Sequence, residues 1–321
     1  MTYDVAAVRA QFPALEEGAA HFDGPGGTQS PRQVGEAVSR TLTSAVANRG
    51  FVTRAERRAE EAVTQCRSAL ADLLGADPRG VVFGRSMTDL TYDFSRTLAK
   101  TWHPGDEVVV TRLDHDANVR PWVQAAEAVG ALPRFADFDP TTGELGPDDI
   151  AAHLSPTTRL VAVTAASNLI GTMPDIPAIA RLVHERSDAL VYVDGVHYTA
   201  HESVDLAASG ADFWACSPYK SLGPSDALSR YRATPGEVGQ VEGQTGTEAT
   251  LSALQDAVSR RSPRGLNAAA RRYGARSLGT PVPANGGLAM YAIRASVVVG
   301  LRAVSSHQFM VTKRGSRGPG A

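Results

Sequence analysis

From Val81 onward, short apolar runs alternate with longer segments of helical periodicity, and this alternation restricts the chain to one broad architecture. The runs are Val81-Val82-Phe83, Glu107–Val110, Leu132–Phe138, Leu160–Thr164, Ala189–Val193 and Phe213–Ala215. Each is short and apolar, and helix-like segments separate most of them. Such runs, joined by helices, predict a largely parallel sheet covered by helices on both faces. Its ligands belong at the carboxyl ends of the strands. The chemistry of this α/β fold should therefore be read from the residues that follow each strand.

The segment upstream of the first strand frames that sheet. Val5–Phe12 reads as a short helix broken by Pro13, and Arg32–Asn48 and Thr53–Leu74 have helical periodicity. The third helix is predicted to bury Val63, Cys66, Leu70 and Leu73 along one face, with Gly75 as its C-cap and Pro78 forbidding continuation. Cys66 is accordingly expected in the core. Between the first two helices lies the glycine-rich loop Phe22-Asp23-Gly24-Pro25-Gly26-Gly27-Thr28, which lacks the phosphate-cradling spacing G-x-x-x-x-G-K.

Five strand ends carry chemistry-bearing residues. After Phe83, the turn Gly84-Arg85-Ser86-Met87-Thr88 opens a helix whose N-terminal amides, with hydroxyls from Ser86 and Thr88, suit a phosphate, although simple N-capping uses the same residue types. After Val110, His115 can stack on an aromatic ligand or shuttle protons, or serve as a hydrogen-bonded structural residue. Asn168 follows Thr164 and offers an amide to a ligand oxygen or to a turn. Asp194 directly follows Val193, poorly solvated and in need of a partner: a protonated ring nitrogen, a metal or a helix N-cap. Last comes Ser217-Pro218-Tyr219-Lys220, in which a lysine among small and turn-forming residues can lose its proton and attack a carbonyl. A phosphate site, a stacking histidine, an oxygen-binding amide, a pyridinium-pairing aspartate and a lysine form one set. The ligand that calls for all five is pyridoxal 5'-phosphate.

On these residues, with Phe22–Thr28 and His115-Asp116-Ala117-Asn118, the chain resembles the class V aminotransferase family of fold-type I pyridoxal-phosphate enzymes, in its cysteine desulfurase-like branch. The likeness runs from Val5 to Gln255. It implies a fold-type I large domain, a mostly parallel sheet flanked by helices, followed by a truncated or atypical C-terminal small domain. It also implies roles. Lys220 would carry the cofactor covalently, Asp194 would pair with the pyridine nitrogen, and His115 would stack on the ring, these three being the catalytic residues. His197 and Asn168 would approach the phenolic oxygen, Thr88 and Ser217 would bind the phosphate, and Met87 would join them in binding the cofactor. Thr247, in Thr245-Gly246-Thr247-Glu248, would reach the phosphate of a partner subunit's cofactor, which implies a homodimer with composite sites. An amino acid is the implied substrate, in a cysteine desulfurase-like lyase or transferase reaction; transamination, epimerisation and a catalytically impaired, cofactor-binding form are the alternatives.

Composition excludes several other classes. A formal net charge of −2 points to no nucleic-acid partner, and no apolar run is long enough to span a membrane. Two cysteines, Cys66 and Cys216, lack metal-ligand spacing, so no metal is expected and a reducing cytoplasm is. No G-x-G-x-x-G follows a strand, which disfavours a nicotinamide site. All 34 acidic residues fall at or before Asp256, whereas 11 Lys and Arg follow it. The expected division is an N-terminal segment, 1–20, a cofactor-binding large domain, 21–255, and an atypical basic tail or small-domain remnant, 256–321. No cysteine follows Cys216, and no substrate-carboxylate arginine aligns after Gln255.

Overall fold

The computed structural model describes residues 4–221 and the strand Ser296–Gly300. Seven strands form one sheet: β1 (Val81–Gly84), β2 (Glu107–Thr111), β3 (Leu132–Ala136), β4 (Thr158–Thr164), β5 (Leu190–Asp194), β6 (Phe213–Cys216) and β7 (Ser296–Gly300). Their order is β1-β7-β6-β5-β4-β2-β3. β7 runs antiparallel to both β1 and β6, and every other pair is parallel. The six strands expected from the sequence are all present. β7 overlaps the end of the apolar run Leu288–Val299 and fills the gap between β1 and β6.

The central strands are buried on both faces, which is why they read as continuous apolar runs. Side chains still alternate. Val109, Val161, Val163, Val191, Val193 and Trp214 face one core, shared with α3 (Arg54–Leu74), α7 (Ile176–Arg186) and α9 (Leu206–Ser209). Val108, Val110, Leu160, Ala162, Tyr192 and Phe213 face the other, under α4 (Met87–Ala99) and α5 (Arg120–Ala128). Phe94, Trp122 and Phe213 surround Tyr192. The Tyr192 hydroxyl meets Thr91 Oγ1 at 3.0 Å, satisfying its polar tip in that core.

Two helices differ from expectation for local reasons. The one starting at Arg32 ends at Thr43 rather than Asn48. There the hydroxyls of Thr41, Thr43 and Ser44 all donate to carbonyls three or four residues back, and Ser44 turns extended. α3 starts behind a Thr53/Glu56 capping box. Its buried stripe is Cys66, Ala71 and Leu74, with Leu70 packed against it, whereas Leu73 is 51% exposed. At about 100° per residue, positions 66, 70, 74 and 71 span about 140°, and position 73 falls about 20° beyond the Cys66 edge of that stripe, roughly 90° from its centre. Gly75 closes the helix at φ 62°.

Register levels the carboxyl edge of the sheet. Thr164 pairs with Asp194, and Asp194 pairs with Ala215, so the ends of β4, β5 and β6 stand in one row.

Candidate active site

Four of the expected site residues meet at that edge. Asp194, the last residue of β5, is 5% exposed, and its Oδ1 accepts the Val196 N–H at 2.9 Å. Oδ2 takes no hydrogen bond among the described residues. Burial pushes this carboxyl above its ordinary value of 3.8, opposed by the Val196 bond and by the charges of His115 and Lys220. A cation brought to the open oxygen would relieve that cost most directly.

Lys220 ends the single 3-10 turn Pro218–Lys220 that follows β6, where its N–H closes on Ser217 O. Its Nζ lies 3.5 Å from His197 Nε2 and 5.6 Å from the centroid of the Tyr219 ring. His197 is partly buried. Desolvation, then the charges of Lys220, His201 and His115, pull its imidazole down to about 4. At neutral pH the ring is therefore uncharged, and in the tautomer protonated on Nδ1 it accepts from Lys220. Gly195 makes the intervening turn possible: a Cβ there would stand 2.1 Å from Trp214 Nε1 and Cε2. Trp214 is itself held by its Nε1–H bond to Thr199 Oγ1 at 3.1 Å.

His115 is exposed at the end of the turn after β2, and its Nδ1 accepts the Ala117 N–H at 3.0 Å. The proton of the neutral ring then sits on Nε2, and the ring's orientation is fixed. Across the sheet, Ser86 caps α4 by accepting the Asp89 N–H at 3.0 Å, and Leu90 N–H makes the first intrahelical bond to Ser86 O. The N–H groups of Met87 and Thr88 precede that bond, at the positive end of a helix of 13 residues. Thr88 is exposed. The Met87 side chain is buried, with Sδ 3.4 Å from Thr91 Oγ1, so Met87 can offer a ligand only its backbone. Ser217 lies at the end of β6 and is 2% exposed.

Asn168 sits in the turn Ser167–Gly171, and no contact among the described residues joins it to the other four. Thr247 and the stretch Thr245–Glu248 lie outside the described residues, as does the end of the basic tail.

Two features escaped the sequence reading. Thr28, in the glycine-rich loop, donates from both N–H (3.0 Å) and Oγ1 (3.2 Å) to Tyr219 O, so the loop packs beside Lys220. Gly27 makes this approach at φ 137°, a conformation natural to glycine, with space for Tyr219 3.5 Å from where a Cβ would stand. Asp114 is the second. It immediately precedes His115 and binds Asn118 Nδ2 at 2.6 Å and Thr164 N–H at 3.0 Å. An aspartate beside the flagged histidine, three residues past a buried strand, was the available signal.

The donor set fits pyridoxal phosphate. It offers an acidic oxygen for a ring nitrogen, an amine, two imidazoles, and helix amides with a serine for a dianionic phosphate. Among the described residues no group of three or more His, Cys, Asp or Glu could hold a metal, and no helix is long and apolar enough to cross a membrane.

Neither thiol suits nucleophilic work. Burial pushes Cys216 up to about 12, helped by the charge of Asp194, and Cys66 up to about 11. At pH 8 only about one Cys216 in ten thousand would be a thiolate. Both cysteines are expected to resist iodoacetamide at pH 8 in the native protein and to alkylate fully in denaturant, as mass spectrometry would show.

Comparison with known proteins agrees with this arrangement. The Aminotransferase class-V family matches residues 20–268. The chain is 36% identical over 224 residues to the uncharacterized protein MT3887 of Mycobacterium tuberculosis, covering 70% of this chain and 56% of that one. It is 33% identical over 232 residues to a cysteine desulfurase of Dickeya dadantii, with coverages of 70% and 56%. In structure it is similar to the Escherichia coli cysteine desulfurase CsdA, with a TM-score of 0.62 and 27% identity over 70% of this chain and 57% of that one. The chain thus spans little more than half the length of these relatives. With a mostly parallel sheet between two helical layers and the match over residues 20–268, the chain belongs to the class V aminotransferase family, in its cysteine desulfurase-like branch.

Proposed function

We propose that the chain binds pyridoxal 5'-phosphate along the carboxyl edge of the sheet and acts on an amino acid as a cysteine desulfurase-like lyase or transferase. One observation carries this reading. A buried carboxylate with an open oxygen, a lysine and a neutral histidine converge from β5 and β6, with His115 close enough to act on the same carboxylate.

When bound, the cofactor supplies an electron sink for negative charge at the substrate's Cα. Asp194 keeps a proton on the ring nitrogen, because a charge-assisted hydrogen bond there replaces the solvation that burial has removed. Lys220 carries the cofactor and, once displaced by substrate, moves protons at Cα. His197, uncharged at neutral pH, accepts from the Lys220 amine and would approach the ring's phenolic oxygen. His115 presents a ring of fixed orientation for stacking. The amides of Met87 and Thr88, with the Thr88 and Ser217 hydroxyls, receive the phosphate. Asn168 and Thr247 complete the proposed set, the latter across a homodimer interface. Cys216 serves packing.

The test is direct. The purified chain, incubated with pyridoxal phosphate and dialysed, should retain a visible absorbance band, and adding L-cysteine with excess dithiothreitol should give alanine and sulfide, the dithiol taking up the departing sulfur and supplying the two electrons that release it as sulfide. A colourless protein after dialysis would overturn the cofactor reading. A stable band with no product from cysteine or any other amino acid would instead identify a chain that binds cofactor without turning over.

A further inference from the structure

Asp114 has no part in the function just proposed, yet it is the most heavily hydrogen-bonded carboxylate near the site. Donors reach it from three segments: the Thr111 hydroxyl at the end of β2, Asn118 Nδ2 in the turn after His115, and the Thr164 N–H at the end of β4. The Asn118 amide can face it only one way. Trp122 Nε1–H, which can only donate, occupies Asn118 Oδ1 at 3.1 Å, and this leaves Nδ2 to point at Asp114. Thr164 is the register partner of Asp194. The carboxylate thus ties the turn that carries His115 to the strand beside Asp194.

Two of these three donors cannot reverse. Thr164 N–H bonds Oδ2 and the Asn118 amide bonds Oδ1, so each oxygen already faces an obligate donor. Only the Thr111 hydroxyl, on Oδ2, can turn round and accept. A proton taken up by Asp114 therefore has one acceptor, Thr111 Oγ1, and the carboxylate form alone satisfies all three donors.

We propose that Asp114 is a positioning residue of the active site, bracing the His115 turn against β4 and exchanging a proton with solvent in answer to the charge at Asp194. The proposal rests on the reading of Asp194 as the partner of a cationic ring nitrogen. The groups that face Asp114 are Thr111 from β2, Asn118 from the turn, Thr164 N–H from β4 and, as its charged neighbour, Asp194 from β5. Asp194 in turn feels His115 and Lys220. Burial pushes the Asp114 carboxyl up to about 8; the hydrogen bonds oppose this and the negative charge of Asp194 adds to it. A cation arriving beside Asp194 offsets that negative charge. Asp114 then gives up its proton to solvent and regains its third donor, which sets the His115 turn when the site fills.

The experiment is a carboxyl carbon NMR titration of the cofactor-free full chain. Two carboxyls, those of Asp114 and Asp194, should titrate above the ordinary carboxylate range, and Asp114→Asn should remove one of them. Asp194→Asn should lower the Asp114 midpoint by about one pH unit, because a neighbouring negative charge is lost. Pyridoxal phosphate should lower it in the wild type. Asp114→Asn should also weaken cofactor binding about tenfold, since an asparagine must set its amide donors against an obligate donor. Should that variant fail to fold, Thr111→Val, which removes only the reversible hydroxyl, should weaken binding in the same direction. An Asp114 midpoint near 3.8, a midpoint indifferent to Asp194→Asn, or unchanged cofactor affinity in the variant that folds would overturn the proposal. The Asp194→Asn arm needs no cofactor, so a wild type that binds none would sink the functional reading while the coupling is still decided.

Discussion

Replacing Lys220 by alanine is expected to abolish retention of the cofactor through dialysis and to lower turnover by at least ~100-fold, the lower end of what a positioned proton-transfer group contributes. The sequence holds three lysines, Lys100, Lys220 and Lys313, so the site of attachment can be assigned cleanly. Lys100 is the C-cap of α4, whose N-terminus is the proposed phosphate site, and 13 residues of helix separate the two by about 20 Å. Lys100 cannot substitute. Borohydride reduction of the loaded protein should fix the cofactor to the peptide containing Lys220, and peptide mapping would read it. Lys220→Arg should fail equally, because a guanidinium keeps the charge but does not form the covalent link. Neither variant should alter stability by more than ~0.5 kcal/mol, since Lys220 is only partly buried on a short turn. Equal melting temperatures with lost retention would separate a chemical role from a structural one. Cofactor fixed to Lys100, or retained by Lys220→Ala, would refute the assignment.

Much of the sheet could be read from the chain because its signals are local. Val108–Val110, Leu160–Val163 and Val191–Val193 announce strands by burial on both faces, and Asp194 stands out because an ionisable group directly ends such a run. What escaped depends on partners distant in sequence. Thr28 finds Tyr219 across 191 residues, and neither segment carries a mark of the other. The meeting of Lys220 with His197 needs β5 and β6 in register and a glycine at 195 to clear Trp214. The apolar run that forms β7 was visible, but its place between β1 and β6 is a property of the gap rather than of the run. Leu73 erred for a different reason. Position 73 follows Cys66 by seven residues and so continues its edge of the stripe, whereas the last turns of the helix bury the opposite edge, at Ala71 and Leu74. Asp114 went unread because its partners Asn118 and Thr164 come from the next turn and from another strand, and nothing beside it in the sequence marks them.

Asp194→Asn tests the other half of the site, and its sign differs with and without cofactor. In the cofactor-free protein, burial raises the Asp194 carboxyl above its unfolded value of 3.8, so the folded state binds the proton more tightly than the unfolded chain does. The stability from this difference is fully present below pH 3.8 and is lost as pH rises through the folded-state value. Asp114, raised to about 8, contributes in the same direction. The melting temperature of the cofactor-free protein should therefore fall as pH climbs from 4 toward about 8, and Asp194→Asn, neutral at every pH, should flatten that fall. With cofactor bound the preference inverts. On the proposed role the ionised carboxylate would then pair with a ring-nitrogen proton, a charge-assisted bond of about 1.5–3 kcal/mol that the asparagine cannot reproduce. Cofactor affinity should drop about 10- to 100-fold, and turnover should drop with it, because an unprotonated ring is a shallower sink. Differential scanning across pH, with and without pyridoxal phosphate, reads both effects on the same samples. An Asp194→Asn protein that matched the wild type's pH slope would show that the carboxylate is not desolvated, and one that matched its cofactor affinity would show that the ring nitrogen lies elsewhere.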